Sequence, residues 1–156
     1  MTSESDPRWR IAIGYLPNVQ AGQWAVGGSA ALALHGLPID PRDLDLVADR
    51  AAATELIAGL GDTVLKDEAA WDRGDVRAAR RAVAIVEGVE VEILVEVEAI
   101  AQGERVLGPP DLGDLDSIAV DGRLVPVLPL GAMLQVLLAM GDTRRADLVK
   151  RYQQHR

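Results

Sequence analysis

Short β-rich runs alternate with alanine- and leucine-rich runs along this chain, and this alternation constrains the fold more than any other feature. Residues 43–47 alternate polar and apolar side chains, which predicts a strand with one buried face. The pairs Glu87-Gly88 and Asp121-Gly122 separate β-rich runs and predict tight hairpins. Because hairpins accompany the alternation, we predict an α+β fold, with α/β-like features, in which helices flank a mixed sheet.

The same patterns give approximate bounds for the elements. Strands are expected over residues 23–26, 43–47, 82–86, 89–97, 117–120 and 124–128, with another starting near 62–65. Helices are expected over residues 8–16, 30–35, 51–60, 130–140 and 144–154. No element is assigned to a stretch with four arginines, which either form a solvated helix face or guide an acceptor nucleic acid: Arg73, Arg77, Arg80 and Arg81.

The length of 156 residues fits one domain. The chain has no phenylalanine and only 3% aromatic residues, so its core must be built from leucine, valine, isoleucine and alanine. We expect a disordered tail over residues 1–7 and a single domain over residues 8–156.

Charge and cysteine content exclude several classes of protein. The chain carries 16 Lys+Arg against 24 Asp+Glu, a net charge of −8, which argues against a broad basic surface for nucleic acid. Without cysteine there are no disulfides, zinc–thiolate sites or cysteine nucleophiles. The first residues do not resemble a signal peptide, and the apolar run 130–140 is too short to span a bilayer. A cytoplasmic protein with no membrane association is the expectation.

Gly27-Gly28-Ser29 follows a predicted strand and precedes a predicted helix. Two glycines let the backbone approach a ligand closely, and Ser29 adds a hydroxyl donor for phosphate oxygens. The alternative is an ordinary strand-to-helix turn.

Asp43 and Asp45 favour the phosphate-binding role over an ordinary turn, because both side chains are predicted to lie on the same face of a strand. Residues i and i+2 of a strand are about 6.6 Å apart along the backbone. Two such carboxylates repel each other unless a cation lies between them, and Mg²⁺ prefers oxygen ligands.

These two motifs together resemble the signature of nucleotidyltransferases of the DNA polymerase beta superfamily. The resemblance is strongest to the minimal nucleotidyltransferases, which include abortive-infection and type IV toxin–antitoxin members. Residues 88–94 resemble the later family strand that supplies a third carboxylate. The C-terminal helical pair of the family resembles three successive segments of this chain: residues 125–130, the helix after them and residues 144–148.

The resemblance implies roles for particular residues. Gly27, Gly28 and Ser29 would hold the triphosphate of an NTP such as ATP. Asp43, Asp45 and Glu92 would bind Mg²⁺, in a two-metal site, and Glu92 would help to activate the attacking hydroxyl. The remaining candidate phosphate contacts are Arg42, Arg144 and Arg145. Arg42 has an alternative role as the ion-pair partner of a neighbouring carboxylate.

The third carboxylate is the weakest of these assignments. Glu92 is preferred over Glu90 because it precedes Ile93-Leu94, as the family's third acid precedes an apolar pair, but a row of glutamates is also typical of a solvated strand face. Relatives often carry a lysine in the helix after the Pro-Leu element, and residues 130–140 contain none, so Arg144 or Arg145 would have to replace it. The basic run over residues 143–156, which holds these two arginines together with Lys150, Arg151 and Arg156, has the alternative role of placing favourable charge at a helix C-terminus.

The resemblance predicts an enzyme that transfers an NMP group from an NTP to a hydroxyl acceptor and releases pyrophosphate. The acceptor is an RNA end such as that of tRNA, a protein hydroxyl or a small molecule. The alternative is a catalytically degenerate member that binds nucleotide or a cognate partner protein, for instance in a toxin–antitoxin pair. A generic α/β domain with an accidental motif match is the third hypothesis.

Overall fold

The computed structural model describes residues 7–108 and 112–155. The predicted disordered tail therefore lies outside the described residues, apart from Pro7. In chain order the elements are α1 (Arg8–Gly14), β1 (Trp24–Gly27), α2 (Gly28–Leu34), β2 (Leu44–Ala48), α3 (Arg50–Leu60), a 3-10 turn (Gly61–Thr63), β3 (Val64–Arg73), β4 (Val76–Val86), β5 (Val89–Val95), β6 (Glu98–Ala101), β7 (Glu104–Leu107), β8 (Asp116–Val120), β9 (Arg123–Val127), α4 (Leu130–Met140) and α5 (Thr143–Gln154). Across the described ranges, no helix is long and apolar enough to cross a membrane.

The strands form one mixed sheet in the order β7-β6-β4-β5-β2-β1-β9-β8, and β3 pairs with the free side of β4. The pairs β2–β5 and β1–β9 are parallel, and the other pairs are antiparallel. This confirms the predicted α+β fold with a mixed sheet, flanking helices and a C-terminal helical pair. The three central strands β5, β2 and β1 are the ones that carry the sequence motifs.

The core is aliphatic, as the composition requires. Leu44, Leu46, Val91 and Ile93 on the two central parallel strands are almost completely buried. β2 is more buried than the predicted single face, because Ala48 extends the face of Leu44 and Leu46, and Val47, on the opposite face with Asp45, is buried as well. Burial of aliphatic side chains on this scale is worth about 1.5–3 kcal/mol for each large side chain, and it fixes the register of the central strands.

Both predicted hairpin turns are present. Glu87 and Gly88 have φ of 51° and 81°, and Asp121 and Gly122 have φ of 51° and 83°. Two successive residues with positive φ form the turn that matches the twist of a two-residue hairpin. These turns join β4 to β5 and β8 to β9.

The chain between residues 64 and 107 differs most from expectation. The helix face suggested for the four arginines is wrong, because Arg73 ends the strand β3 and Arg77, Arg80 and Arg81 lie on β4. β3 is exposed on both faces over Leu65–Ala70, so its sequence lacks the period-2 pattern of a half-buried strand. The strand predicted over residues 89–97 ends at Val95, since Glu96 has a φ of +54°.

Arg123, the first residue of β9, connects the N-terminal helix to the sheet. Its Nη1 donates to the carbonyl oxygens of Ile13 at 3.0 Å and Leu16 at 2.9 Å, and its Nη2 donates to that of Pro17 at 3.2 Å. These carbonyls lie at and beyond the C-terminal end of α1, where a helix leaves its carbonyls without backbone partners. The guanidinium therefore adds to the backbone hydrogen bonds that Tyr15 and Leu16 make at this end of α1.

We expect Arg123→Gln to lower the free energy of unfolding by about 2–4 kcal/mol, because partly buried carbonyls lose charge-assisted hydrogen bonds. Denaturant unfolding followed by circular dichroism measures the change. The matched control is Arg105→Gln, whose guanidinium lies at the surface 3.7 Å from Glu98, and its effect should stay within about 0.5 kcal/mol. Equal losses in the two variants would contradict the role given to Arg123.

Candidate active site

The Gly-Gly-Ser motif lies at the junction of β1 and α2. Gly27 ends the strand, and Gly28 begins the helix with a φ of +59°. A Cβ atom at position 28 would overlap the Asp45 carboxylate. Glycine is therefore required here both by the backbone conformation and by the acidic group that lies against it.

Strand register brings Asp45 next to the other two motifs. Gly27 is paired with Asp45 across the antiparallel strands β1 and β2, and Asp45 is paired with Glu92 across the parallel strands β2 and β5. Neighbouring strands lie about 4.8 Å apart, so the three positions form a short row across the middle of the sheet. Asp43 precedes β2 by one residue and is exposed at the edge of the same site.

A cavity of about 410 Å³ collects most of the predicted site residues. Its walls contain Ser29, Arg42, Asp43, Asp45, Glu92 and Arg145, together with Asp40, Arg73 and Glu90. Gly27 and Gly28 line an adjoining, largely apolar cavity of about 170 Å³ that also reaches Asp45 and Glu92. Arg144 lines neither of these two cavities and lies on a third one.

Asp45 is the electrostatic centre of the site. Burial is the main cause that raises its pKa to about 7; the carboxylates of Glu92 and Asp43 act in the same direction, and the guanidinium of Arg145 opposes them. A partly buried carboxylate surrounded by other carboxylates takes up a proton unless a cation is present. Asp43 and Asp45 are thus suited to Mg²⁺, which is often held by one or two carboxylates plus water and substrate phosphate oxygens.

Glu92 has a partner that sequence reasoning missed. The Nε of Arg81 donates to its Oε2 at 2.6 Å, and Nη1 of the same arginine lies 3.3 Å from Glu68 Oε1. Val83 on β4 is the direct neighbour of Glu92, so Arg81 is a diagonal neighbour on the same face of the sheet. The predicted hairpin at residues 87–88 would have indicated this pairing if β4 had been extended back to residue 81.

The three carboxylates do not form a preassembled metal centre. Within residues 7–108 and 112–155, no group of three or more His, Asp or Glu side chains is arranged to hold a metal ion. Asp43 and Asp45 can act as a pair of ligands, while Glu92 is held towards Arg81. A metal at this site would therefore depend on the two aspartates and on oxygen atoms from the substrate.

Residues 16–151 match the sequence profile of the aminoglycoside-2''-adenylyltransferase family. The chain belongs to this family. The nucleotidyltransferase fold is also that of a proposed nucleotidyltransferase from Thermotoga maritima, known from its crystal structure, with 22% sequence identity and a TM-score of 0.68 over 96% of this chain and 90% of that chain. No curated protein matches the sequence.

The family match confirms the predicted resemblance to nucleotidyltransferases, and the structural similarity confirms the fold. The chain is accordingly a nucleotidyltransferase, an enzyme class that transfers nucleoside monophosphate groups. Its placement among abortive-infection or toxin–antitoxin members stays a prediction, and so do the roles of the individual site residues.

We expect Gly28→Ala to destabilise this nucleotidyltransferase more than Gly122→Ala does. Both glycines have positive φ, but a Cβ at position 122 meets no atom within 4 Å, whereas one at position 28 meets the Asp45 carboxylate. The control should lose about 1–2 kcal/mol from backbone strain alone. Denaturant unfolding should show a further loss of about 1–3 kcal/mol for Gly28→Ala, from overlap at a packed site. Equal losses would contradict the close contact.

The raised pKa of Asp45 predicts a pH-dependent stability in metal-free buffer. The unfolded value is 3.8 and the folded value about 7, so the native state binds the proton more tightly between these limits. Stability from this group is fully present below pH 3.8 and is lost as the pH rises through about 7.

Asp45→Asn removes the titration, so this variant and the wild type should be similar in stability near pH 4. At pH 8 the variant should be more stable than the wild type by about 2–4 kcal/mol, since each pKa unit is worth about 1.4 kcal/mol. Denaturant unfolding of both proteins across this pH range, with a chelator present, measures the difference. A difference that does not change with pH would contradict the shifted pKa.

Proposed function

We propose that this nucleotidyltransferase uses Mg²⁺ and an NTP, with ATP as the donor, and transfers the NMP group to an acceptor hydroxyl with release of pyrophosphate. The observation that carries the proposal is the single cavity shared by Ser29, Asp43, Asp45 and Glu92. The adenylyl group named by the family description supports ATP as the donor.

The donor side of the reaction rests on the glycine motif and on two arginines. Gly27 and Gly28 leave the backbone open to a close approach, and Ser29 offers a hydroxyl to phosphate oxygens. Arg42 and Arg145 line the same cavity and bring positive charge to the triphosphate. Asp43 and Asp45 would hold Mg²⁺, which when bound neutralises phosphate charge and polarises the reacting phosphoryl group.

Glu92 is placed to serve the acceptor side. Its carboxylate would accept the proton of the acceptor hydroxyl as the oxygen forms a bond to the α-phosphorus. The bond between the α-phosphorus and the bridging oxygen then breaks, and pyrophosphate leaves with that electron pair. Arg81 holds the Glu92 side chain in place through the hydrogen bond from its Nε to Oε2.

Three classes of molecule remain candidates for the acceptor. The family description names an aminoglycoside, which is a small molecule with several hydroxyl groups. An RNA end, such as that of tRNA, and a protein hydroxyl are the other candidates. A cytoplasmic location fits each of them and remains part of the proposal, as does a single domain over residues 8–156.

A second candidate function is favoured by the ion pair between Arg81 and Glu92. If Arg81 keeps that carboxylate from the reacting centre, the protein binds nucleotide without turnover and acts as a regulatory or toxin–antitoxin component with a cognate partner protein. The short contact of 2.6 Å and the lack of a three-ligand metal group among the described residues support this alternative. Measured turnover with an α-labelled nucleotide excludes it.

We expect transfer of label from α-labelled ATP to fall at least about 100-fold in Asp43→Asn, Asp45→Asn and Glu92→Gln, because each removes a proposed ligand or the proposed base. Glu90→Gln is the matched control, since Glu90 lines the same cavity on the same strand. Its activity should stay within a few-fold of wild type. Acceptors tested are an aminoglycoside, short RNA and the protein itself, with folding checked by circular dichroism. Label transfer that survives both aspartate changes would refute the proposal.

A further inference from the structure

The third cavity, on which Arg144 lies, adjoins the 410 Å³ cavity that contains Asp43, Asp45 and Glu92, called the carboxylate cavity below. It has a volume of about 650 Å³ and lies between the loop at Pro38 and Ile39, the end of α4, the helix α5 and the last residue of β3. Four arginines from two separate parts of the chain line it: Arg73, Arg144, Arg145 and Arg151. We call it the arginine cavity.

Three of the four arginines of this cavity, Arg73, Arg144 and Arg151, have no carboxylate partner among the described residues. Among the described residues that line it, Asp142 alone is acidic; this side chain caps α5 by accepting from the backbone N–H of Arg145 and lies 3.8 Å from the Arg145 side chain. Within residues 7–108 and 112–155, no carboxylate lies close enough to Arg73, Arg144 or Arg151 to form an ion pair. Arg80 and Arg81, in contrast, both contact carboxylates at 2.6 Å.

Helix stability does not explain the two arginines at the start of α5. The sequence left open that the basic residues of 143–156 stabilise a helix C-terminus. This holds for Arg151, which lies in the last turn of α5, but it is wrong for Arg144 and Arg145. α5 begins at Thr143, so both lie in its first turn, where the helix dipole is positive and cations are unfavourable. Unpaired cations at such a position lower stability unless an anion binds beside them.

The arginine cavity opens onto the reacting centre. Ile39, Arg73 and Arg145 line both this cavity and the carboxylate cavity, whereas Arg144 and Arg151 line only the larger one. Of the proposed contacts for the donor triphosphate, Ser29 and Arg42 line the carboxylate cavity and not the larger one, and Arg145 stands at the boundary between the two. An anion bound by Arg144 and Arg151 is therefore separate from the donor phosphates but beside them.

We propose that the arginine cavity binds a phosphate group of the acceptor, so that the acceptor is a nucleotide or an RNA end. The inference rests on the proposed function, because it assigns the second substrate of that reaction. Paired guanidinium groups bind phosphate oxygens through charge-assisted hydrogen bonds. A polycationic aminoglycoside would meet like charge in this cavity, which argues against that acceptor.

The test measures binding by the full chain without turnover. Fluorescence anisotropy follows a labelled single-stranded RNA with a free 3′ hydroxyl, and a non-hydrolysable ATP analogue with Mg²⁺ probes the donor side. The variant is Arg144→Gln/Arg151→Gln. The matched control is Lys150→Gln, which removes one cation from the exposed surface of the same helix outside the cavity.

We expect the double variant to weaken RNA binding at least about tenfold, with the ATP analogue bound within about twofold of wild type. A plot of the logarithm of the RNA association constant against the logarithm of the salt concentration should become shallower by about 0.7 for each RNA phosphate that the variant no longer neutralises. Lys150→Gln should change the RNA affinity less than about twofold. Displacement of the RNA by a nucleoside monophosphate supports a nucleotide acceptor. If the monophosphate does not displace the RNA, an RNA end is supported.

Three results would overturn the inference. An equal weakening of ATP-analogue binding would assign the cavity to the donor triphosphate. Unchanged RNA and monophosphate affinity would show that it holds no acceptor phosphate. An aminoglycoside that binds more tightly than RNA, and equally well in the double variant, would show a cationic acceptor. Because binding is measured without transfer, a failure of the labelling experiment refutes the proposed function separately.

Discussion

The contact between the Asp45 carboxylate and the backbone of Gly28 is the constraint on which the rest of the site depends. It exists because β1 and β2 pair in a register that places Gly27 opposite Asp45, with the parallel strand β5 bringing Glu92 to the other side. Buried leucines and valines on these strands hold that register. A slip of one residue would turn Asp45 to the opposite face of the sheet and would expose Leu44 and Leu46.

Much of this arrangement could be predicted from the sequence, because its signals are local. Gly27-Gly28-Ser29 indicates a close backbone approach, the alternation at residues 43–47 indicates a strand, and the two glycine-containing hairpin turns depend only on their own residues. The pairing of Arg81 with Glu92 could not be predicted, since it depends on the length and register of β4. β4 in turn pairs with an exposed edge strand, β3, whose sequence carries no periodic signal.

The net charge of −8 conceals two regions of opposite sign. The carboxylates converge around Asp45, and the arginines that lack partners collect beside them on the larger cavity. The composition does not reveal either region. Arg73 and Arg151 are far apart in the sequence, and only the fold brings the end of β3 and the helix α5 to the same cavity. In the proposed reaction, adjacent fields of opposite sign would orient two substrates, the donor with its metal-bound triphosphate and the acceptor with a phosphate of its own.

The tip of the β3–β4 hairpin is attached to the end of α4, where the backbone N–H of Asp75 donates to the carbonyl of Ala139 at 3.2 Å. This hydrogen bond holds Arg73, two residues earlier, beside the end of α4 and the start of α5, where Arg144 and Arg145 lie. Arg144 and Arg151 thus belong to this peripheral part of the architecture, whereas Asp45 lies on the central strand β2; Arg73 and Arg145 line both cavities. Under the proposed function, substitutions in the peripheral part would change the second substrate, while the central strands would keep the same donor chemistry.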